Sequence, residues 1–506
     1  MKSMYSLYKI KYNNLTCLVL SMLLQIVPGC KKLVEIPPPA TLIASDNVFT
    51  NDETAIATLT GLYVEMSAPN AFGFTGNNGL SVIAGLSSDE FSTLVTGSPA
   101  FYYYTNSLGA NGSSVGSEYW EALYKYVFKC NSIIEGLTEK RAEALTPAVR
   151  QQLLGEAKFM RGFYYFYLVN LFGELPLVLT TDYKVNTLLA RTSVNKIYEQ
   201  IIADLKEAST LLSSTYLAPG LLSASEHRVR PTNWAANALL ARAYLYNEQY
   251  SNAEDQSSLI IDHASLFSLT SIDSVFLKNN TEAIWQIQPT TVNFNTEDAL
   301  TFILPPSGPD GLTWPVSLSS ELLAAFEPGD LRRVGKKWVD SVTVDDGTTY
   351  YFPFKYKNNT LNPDITGATG FELLEEYQTM LRLAEQYLIR AEARARQNNL
   401  TGAIGDLDKI RERAQLPLVA STNPGISQDD LINAILDERF VELFSEYGHR
   451  WFDLKRTGKV DEVMTVVTPL KSLSQTQWQS YQQLYPIPQN ELNNAPNLVQ
   501  NPGYGQ

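Results

Sequence analysis

The chain has 506 residues, of which 44% are hydrophobic and 18% are charged, a balance that is ordinary for a globular protein and argues against disorder. The formal net charge of -14 disfavours nucleic acid as a partner, because phosphate contacts need clustered lysine and arginine. It also disfavours attachment to anionic lipid headgroups by charge alone.

The first residues have the pattern of a lipoprotein signal peptide. Three lysines precede an apolar run from Leu15 to Val27, which is too short to span a bilayer comfortably. The run ends just before Cys30, at the position where such signals carry lipid. We therefore predict a signal peptide over residues 1–29, lipidation of Cys30 and a proline-rich tether over residues 30–45. The alternative is an ordinary signal peptide that is followed by a chance cysteine.

Helix signals follow the tether in chain order. A capping pattern at residues 50–53 predicts a helix through Tyr63. A longer helix is predicted from Pro147, where Thr146 can cap it, to Gly173, which ends it. Another helix is predicted after residue 193. The last cysteine of the mature chain, at position 130, lies in an apolar helical pattern and is predicted to be a buried, inert thiol.

Two segments resemble each other at a constant offset. Residues 241–260 and 391–410 each read as a helix, a short polar turn and a second helix, with alanines where two backbones would approach. This is the pattern of a tetratricopeptide-like hairpin. We therefore predict an all-α fold that is built from helix pairs, to which the helices from Pro147 and from residue 193 contribute a less regular pair.

Two long irregular stretches, residues 68–116 and 270–370, separate the helical blocks. Loops of this length are usually functional or disordered, and these contain too many aromatic residues for simple disorder. An aromatic ring at the surface offers a flat apolar face on which a sugar ring can stack. The alternative for each ring is an ordinary place in the core. The rings that we predict to contact a ligand are Tyr102, Tyr103, Tyr104, Trp314, Trp338 and Tyr351.

Catalytic signals are weak. The segment Gly112–Gly116 matches the GxSxG pattern of a nucleophile elbow, but a poor core strand precedes it, which favours a loop. The three histidines do not have the spacing of a zinc site, and we predict neither a metal nor a cofactor. Residues 437–456 alternate in charge beside large apolar residues, which favours a corner between helices held by ion pairs over a catalytic site. A carboxylate pair for glycoside hydrolysis stays open as an alternative.

Several motifs in order make the chain resemble the SusD/RagB family along nearly its whole length. Trp120, Tyr124 and Asn131 fit the spacing that the family shows upstream of its long helix. The longer motifs are EAKFMRG at residues 156–162, LFGELPL at 171–177, ALLARAYL at 238–245, RLAEQYLIRAEA at 382–393, the ER…EL…G-x-R-x-x-DL-x-R pattern at 438–456, PIP at 486–488 and QNPGY at 500–504.

The resemblance implies an all-α fold of tetratricopeptide-like helix pairs with a loop-rich ligand face. The domain would span residues 46–506, with an N-terminal part to about residue 270 and a C-terminal part from about residue 271. It further implies a lipoprotein of the outer membrane, facing the cell exterior, that passes nutrients to a SusC-like TonB-dependent transporter. The expected ligand is an oligosaccharide, or a peptide in the RagB branch of the family.

Three functional hypotheses follow. The first is a binding lipoprotein without catalytic activity, the second is an enzyme such as a glycosidase, and the third is a helical scaffold without a small ligand. The lipoprotein signal and the aromatic loops favour the first hypothesis over the third. The weakness of every catalytic pattern favours it over the second.

Overall fold

Helices make up most of the folded chain. The computed structural model describes residues 45–68, 73–109, 117–290, 295–359, 374–472 and 475–505. Cys30, the predicted tether up to residue 44 and the segment Gly112–Gly116 lie outside these ranges. The α-helices of the described residues are α1 (Asp52–Ser67), α2 (Leu80–Ser87), α3 (Pro99–Tyr104), α4 (Ser117–Thr138), α5 (Pro147–Phe172), α6 (Tyr183–Asn186), α7 (Val194–Leu211), α8 (Asn233–Tyr246), α9 (Tyr250–Ile261), α10 (Glu297–Phe302), α11 (Ser320–Ala325), α12 (Leu383–Arg396), α13 (Leu400–Arg413), α14 (Val419–Thr422), α15 (Gln428–Leu443), α16 (His449–Arg456), α17 (Val460–Lys471) and α18 (Gln489–Asn494).

Short strands and 3₁₀ helices lie between the α-helices. The strands of the described residues form separate two-stranded antiparallel sheets, in which β1 pairs with β3, β2 with β6 and β4 with β5. These strands are β1 (Phe91–Ser92), β2 (Ala283–Ile287), β3 (Ser317–Leu318), β4 (Val339–Thr343), β5 (Thr349–Pro353) and β6 (Gln378–Arg382). The 3₁₀ helices are Ser45–Thr50, Lys140–Ala144, Leu331–Arg333 and Ser480–Gln483.

The helices begin and end where local sequence signals place them. The Asn51 side chain accepts hydrogen bonds from the first amides of α1, which runs one turn beyond the predicted end at Tyr63. Helix α5 begins with Pro147, as predicted, although the side chain of the N-cap residue Thr146 accepts no hydrogen bond from the first amides of the helix. It ends at Gly173, whose φ of 73° is a conformation that favours glycine.

The long helices stack in the order in which they occur in the chain. Helix α4 packs on α5, α5 on α7, α7 on α8, α8 on α9, α9 on α12, and α12 on α13. The predicted hairpins are α8 with α9 and α12 with α13, so the stack crosses the boundary near residue 270. A buried bidentate pair, in which the Arg242 guanidinium donates to both carboxylate oxygens of Glu385 at 2.6 Å, joins α8 to α12. The all-α class of tetratricopeptide-like helix pairs is therefore confirmed.

Helix α5 lies in the core with aromatic rings on almost every side. Its Phe163 ring lies 4.9 Å from the Tyr167 ring and 5.4 Å from the Trp285 ring, both centroid to centroid. The Cys130 thiol of α4 is fully buried beside this core, as predicted, and burial raises its pKa. None of the helices in the described ranges combines the length and the apolar run that crossing a bilayer requires.

Ion pairs hold the corner between α15 and α16, as the charge alternation at residues 437–456 predicted. Arg439 of α15 donates to Asp453 of α16 at 2.7 Å, and Asp453 also accepts from Arg456 at 2.7 Å. Arg456 in turn donates to Glu392 of α12 at 2.6 and 2.7 Å. All four side chains are almost completely buried. The cluster therefore has the structural role that the charge alternation favoured.

Candidate functional site

The two irregular stretches meet in space. Strand β1 belongs to the first stretch and β3 to the second, and their pairing aligns Phe91 with Leu318 and Ser92 with Ser317. The Asn77 side-chain amide also donates to the Leu312 carbonyl at 3.0 Å. We call the combined surface the loop face, and it consists of residues 73–79, 91–98 and 305–318 and the hairpin β4–β5.

Trp314 lies on a closely hydrogen-bonded turn of the loop face. The turn contains Pro309, Asp310 and Gly311, a sequence typical of turns. One carboxylate oxygen of Asp310 accepts hydrogen bonds from the backbone amides of Leu312, Thr313 and Trp314, each at 2.9 Å. Trp314 is partly exposed, and Leu312, two residues before it, is 70% exposed. This turn therefore presents apolar surface to solvent on an ordered backbone.

Two glycines allow this turn to pack closely against neighbouring segments of the loop face. Gly308 has a φ of 78°, and a Cβ at this position would lie 3.0 Å from Val344 and 3.2 Å from the Tyr350 ring. Gly311 has a φ of 76°, and a Cβ there would overlap the Val95 side chain. The turn is thus packed between the hairpin β4–β5 and residues 93–98. Only glycine combines these backbone conformations with such close contacts.

The three neighbouring tyrosines of α3 point in different directions. Tyr102 is 38% exposed. Tyr103 is 4% exposed, and its ring packs 5.4 Å from the Tyr485 ring, centroid to centroid. Tyr104 is partly buried, and the Lys471 ammonium group lies 5.0 Å from its ring centroid. Of the three, Tyr102 presents the most ring surface to a ligand, whereas Tyr103 belongs to the core and does not fit the predicted contact.

Trp338 and Tyr351 also differ from each other. Trp338 is 0% exposed, and its ring nitrogen donates to the Ile272 carbonyl at 2.9 Å, so the predicted ligand contact does not fit this residue. The Trp338 ring packs beneath the loops as part of the core. Tyr351 on β5 is partly exposed, with the Arg333 guanidinium 4.4 Å from its ring centroid. One face of the Tyr351 ring is therefore already occupied by a cation.

A cavity of about 450 Å³ lies elsewhere, between α1 and the end of β2. Its apolar walls include Val64, Leu217 and Ile287. Its most polar wall residue, Arg230, already donates to Glu156 and to Thr60, both at 2.8 Å. Thr60, Ser225, His227 and Gln288 also line the cavity, but most of its wall is apolar, which suits an apolar ligand better than a polyhydroxylated one. The loop face is therefore the better candidate for a sugar.

Carboxyl groups with raised pKa values are buried in the core. Burial raises the pKa of Glu90 to about 8 and that of Asp298 to about 7. Glu90 accepts from the Ser445 amide at 2.5 Å, and Asp298 accepts from the Gly76 amide and the Gln378 side chain. These bonds give both carboxyls a structural role. In the described part of the chain, no group of three or more metal-binding side chains is placed to hold an ion.

Sequence reasoning missed the residues that build the turn around Trp314. Asp310, Gly308, Gly311 and Asn77 were not singled out, although the succession of proline, aspartate and glycine before Trp314 is a readable turn signal. The two halves of the loop face are more than 200 residues apart in the chain, and β1 and β3 have two residues each. Pairs of this length leave no periodic pattern in the sequence.

Comparison with known proteins identifies the family. The model of the SusD family matches residues 333–504. A second model, described as starch-binding associating with outer membrane, matches residues 103–245, and together the two cover more than half of the chain. A relative, SusD-like protein P25 of Formosa agariphila, is 25% identical over 93% of this chain and 95% of its own length.

Solved structures show the same fold. A SusD superfamily protein of Bacteroides vulgatus superposes with a TM-score of 0.73 at 21% identity, covering 90% of this chain and 99% of the other. A laminarin-binding SusD-like protein superposes with a TM-score of 0.70 at 24% identity, covering 90% of this chain and all of the other. This chain belongs to the SusD family.

Proposed function

We propose that this protein captures an oligosaccharide on its loop face, without turning it over, with Trp314 as the stacking ring. The observation that carries the proposal is a partly exposed tryptophan on a turn whose backbone is fixed by Asp310. A rigid ring gives a sugar ring a flat apolar surface at little cost in conformational entropy. Tyr102 and Tyr351 extend the aromatic surface to α3 and to the hairpin β4–β5.

An oligosaccharide is favoured over a peptide by the family and by one structural neighbour. One of the matching family models is described as starch-binding, and one similar structure is of a laminarin-binding protein. A peptide ligand, as in the RagB branch, is the second candidate. Because the buried carboxyls of the core serve structural hydrogen bonds, we propose binding without hydrolysis rather than a glycosidase.

The protein acts, in this proposal, as a lipoprotein of the outer membrane that faces the cell exterior. A lipid on Cys30 holds it there, and it passes its ligand to a SusC-like TonB-dependent transporter. The family description, which names association with the outer membrane, supports this location. Two proteins held in one bilayer have a high effective concentration for each other, so that a modest interface keeps them together.

The test is a binding titration with purified protein against laminarin and starch oligosaccharides and a matched panel of short peptides. We expect Trp314→Ala to weaken oligosaccharide binding roughly 5- to 150-fold, which corresponds to the loss of one stacked ring. Tyr183→Ala is the control, because Tyr183 is an aromatic residue that is 69% exposed but lies outside the loop face. The control is expected to bind as the unchanged protein does.

Three results would contradict the proposal. Binding of peptides but not of oligosaccharides would identify a RagB-type function. Release of reducing ends from the oligosaccharide would identify an enzyme. Equal binding by the Trp314→Ala variant and the unchanged protein would show that the ligand contacts another surface.

A further inference from the structure

We infer that Asp310 is a positioning residue for ligand capture, which acts by holding the Trp314 ring in its binding orientation before the ligand arrives. The inference rests on the proposed function, because it concerns the same site. It adds a role for a residue that the ligand does not need to touch. Two features of the turn support this role, namely its hydrogen bonds and the way in which it is packed.

The hydrogen bonds of the turn converge on one atom. Oδ1 of Asp310 accepts from three successive backbone amides, those of residues 312, 313 and 314, at 2.9 Å each. In return, the backbone amides of Asp310 and Gly311 donate to the Trp314 carbonyl at 3.1 and 3.3 Å. The peptide groups on both sides of the tryptophan are thus tied to Asp310. Desolvation raises the pKa of the Asp310 carboxyl, but the three amide donors and the Thr313 side chain outweigh it and hold this pKa below its usual value.

Contacts with other segments set the position of the turn, whereas hydrogen bonds within the turn set its backbone conformation. Contacts with the hairpin β4–β5 at Gly308 and with Val95 at Gly311 fix where the turn lies. The contact at Leu312 is the hydrogen bond from Asn77 to its carbonyl at 3.0 Å. The Leu312 side chain itself extends into solvent, and the following Trp314 is only partly buried. The Asp310 carboxylate therefore supplies the largest share of the hydrogen bonds that order residues 312–314, beside the two backbone bonds to the Trp314 carbonyl and the bond from Asn77.

A preformed ring binds more tightly than one that the ligand must order. The cost of immobilising one long side chain on binding corresponds to roughly a 2- to 12-fold change in affinity. We expect Asp310→Ala to weaken oligosaccharide binding within this range while the Trp314 ring is still present. Asp310→Asn keeps an oxygen that accepts from the same amides, and we expect it to bind close to normally.

The first experiment measures amide hydrogen exchange in peptides that cover residues 305–318, without any ligand. We expect faster exchange in Asp310→Ala than in the unchanged protein, and near-normal exchange in Asp310→Asn. The thermal unfolding midpoint of all three proteins should agree, because the turn lies at the surface. Unchanged exchange in Asp310→Ala would overturn the inference, whatever the ligand proves to be.

The second experiment titrates laminarin and starch oligosaccharides into Asp310→Ala, Trp314→Ala and the double variant. If Asp310 acts through Trp314, the double variant binds as weakly as Trp314→Ala and no weaker. Additive losses would overturn the inference, since Asp310 would then contact the ligand by itself. If Trp314→Ala binds normally, the proposed binding surface fails instead, and the exchange measurement still decides whether Asp310 orders the turn.

Discussion

At the scale of single residues, a network of buried ion pairs surrounds Arg382. Its guanidinium donates to Glu446 at 2.7 Å, to Glu442 at 2.6 Å and to Glu282 at 3.1 Å. Glu442 also accepts from Arg332 at 2.8 Å and from Arg413. Buried charges are tolerated only when each is paired, so the members of this network depend on one another.

Removing one member should therefore lower the free energy of unfolding far more than removing a surface ion pair. We expect Arg382→Met to lower the free energy of unfolding by about 3–5 kcal/mol, because three buried carboxylates lose a partner. The control is Lys337→Met, which breaks a pair with Asp273 that is partly exposed on both sides. The expected loss in the control is at most about 1 kcal/mol, measured by urea unfolding.

Acidification gives an independent check on the same network. Burial raises the pKa of Glu442, but Arg413, Arg382 and Arg332 outweigh burial and hold it well below the ordinary value. A depressed pKa contributes stability that is fully present above the ordinary glutamate value of about 4.3 and is lost as the pH falls toward the depressed one.

In the urea unfolding experiment, equal losses in Arg382→Met and in the Lys337→Met control at neutral pH would contradict this account of the network.

The aromatic residues show where sequence reasoning about single residues stops. Trp314 and Trp338 lie in the same irregular stretch and look alike as candidates, yet one is partly exposed and the other fully buried. Without a regular period, a loop sequence does not reveal which side chains turn inward. Trp338 lies under the loops beside Lys355, whose ammonium group is 4.7 Å from its ring centroid. Which of the two tryptophans is buried depends on how the loops and the ion pairs assemble.

At the scale of elements, the contact between α5 and α7 depends on small residues. A Cβ on Gly155 would lie 3.0 Å from Leu211 and Leu212, and one on Gly162 would lie 3.2 Å from Leu205. Both glycines are buried, seven residues apart on α5, and they face the same helix. Glycine costs helix stability, so its presence at both positions indicates that close approach of the backbones outweighs propensity.

A larger side chain at this contact should separate the two helices. We expect Gly162→Val to destabilise the protein by about 1–3 kcal/mol, because extra volume in a packed core forces neighbouring side chains to shift. Gly405→Ala is the control, since Gly405 is exposed on α13 and a Cβ there would meet open space. The control should instead gain roughly 0.5–1 kcal/mol in thermal unfolding. A stabilised Gly162→Val protein would disprove the close-packing account.

The sequence predicts the helices well and the loop architecture poorly, for a physical reason. Helix α5 extends over 26 residues, and its cap, its apolar period and its terminal glycine all point to the same element. The two-residue strands β1 and β3 have no such redundancy, and their pairing joins two stretches that are more than 200 residues apart in the chain. The loop face is therefore a product of the helix stack and cannot be read from the loops alone.

At the scale of the whole molecule, the proposed anchor and partner can be tested together in cells. We expect Cys30→Ser to move the protein from the membrane fraction to the soluble fraction, because a lipidated cysteine with more than one acyl chain anchors stably. Fatty-acid labelling should disappear in the same variant. The control is Cys130→Ala, which removes a buried thiol and should leave fractionation unchanged.

The partner is identified by pull-down of the tagged protein in mild detergent. A TonB-dependent barrel should be recovered with the unchanged protein and to a much smaller extent with Cys30→Ser. The reason is that loss of the anchor removes the high effective concentration in the bilayer. A Cys30→Ser protein that still sediments with membranes and takes up fatty acid would sink the anchor proposal.

The turn at residues 305–318 and its neighbours are excursions of the chain between secondary-structure elements, and their order depends largely on hydrogen bonds made within the loop face. Doubling the length of such a loop costs only about 0.6 kcal/mol in closure entropy, a small fraction of the roughly 5–15 kcal/mol that stabilises a folded domain. Mutation and selection can therefore lengthen, shorten or replace these loops while the helix pairs stay unchanged. Under the proposed function, such changes in the loops alter which ligand is bound while the helix stack keeps its structure.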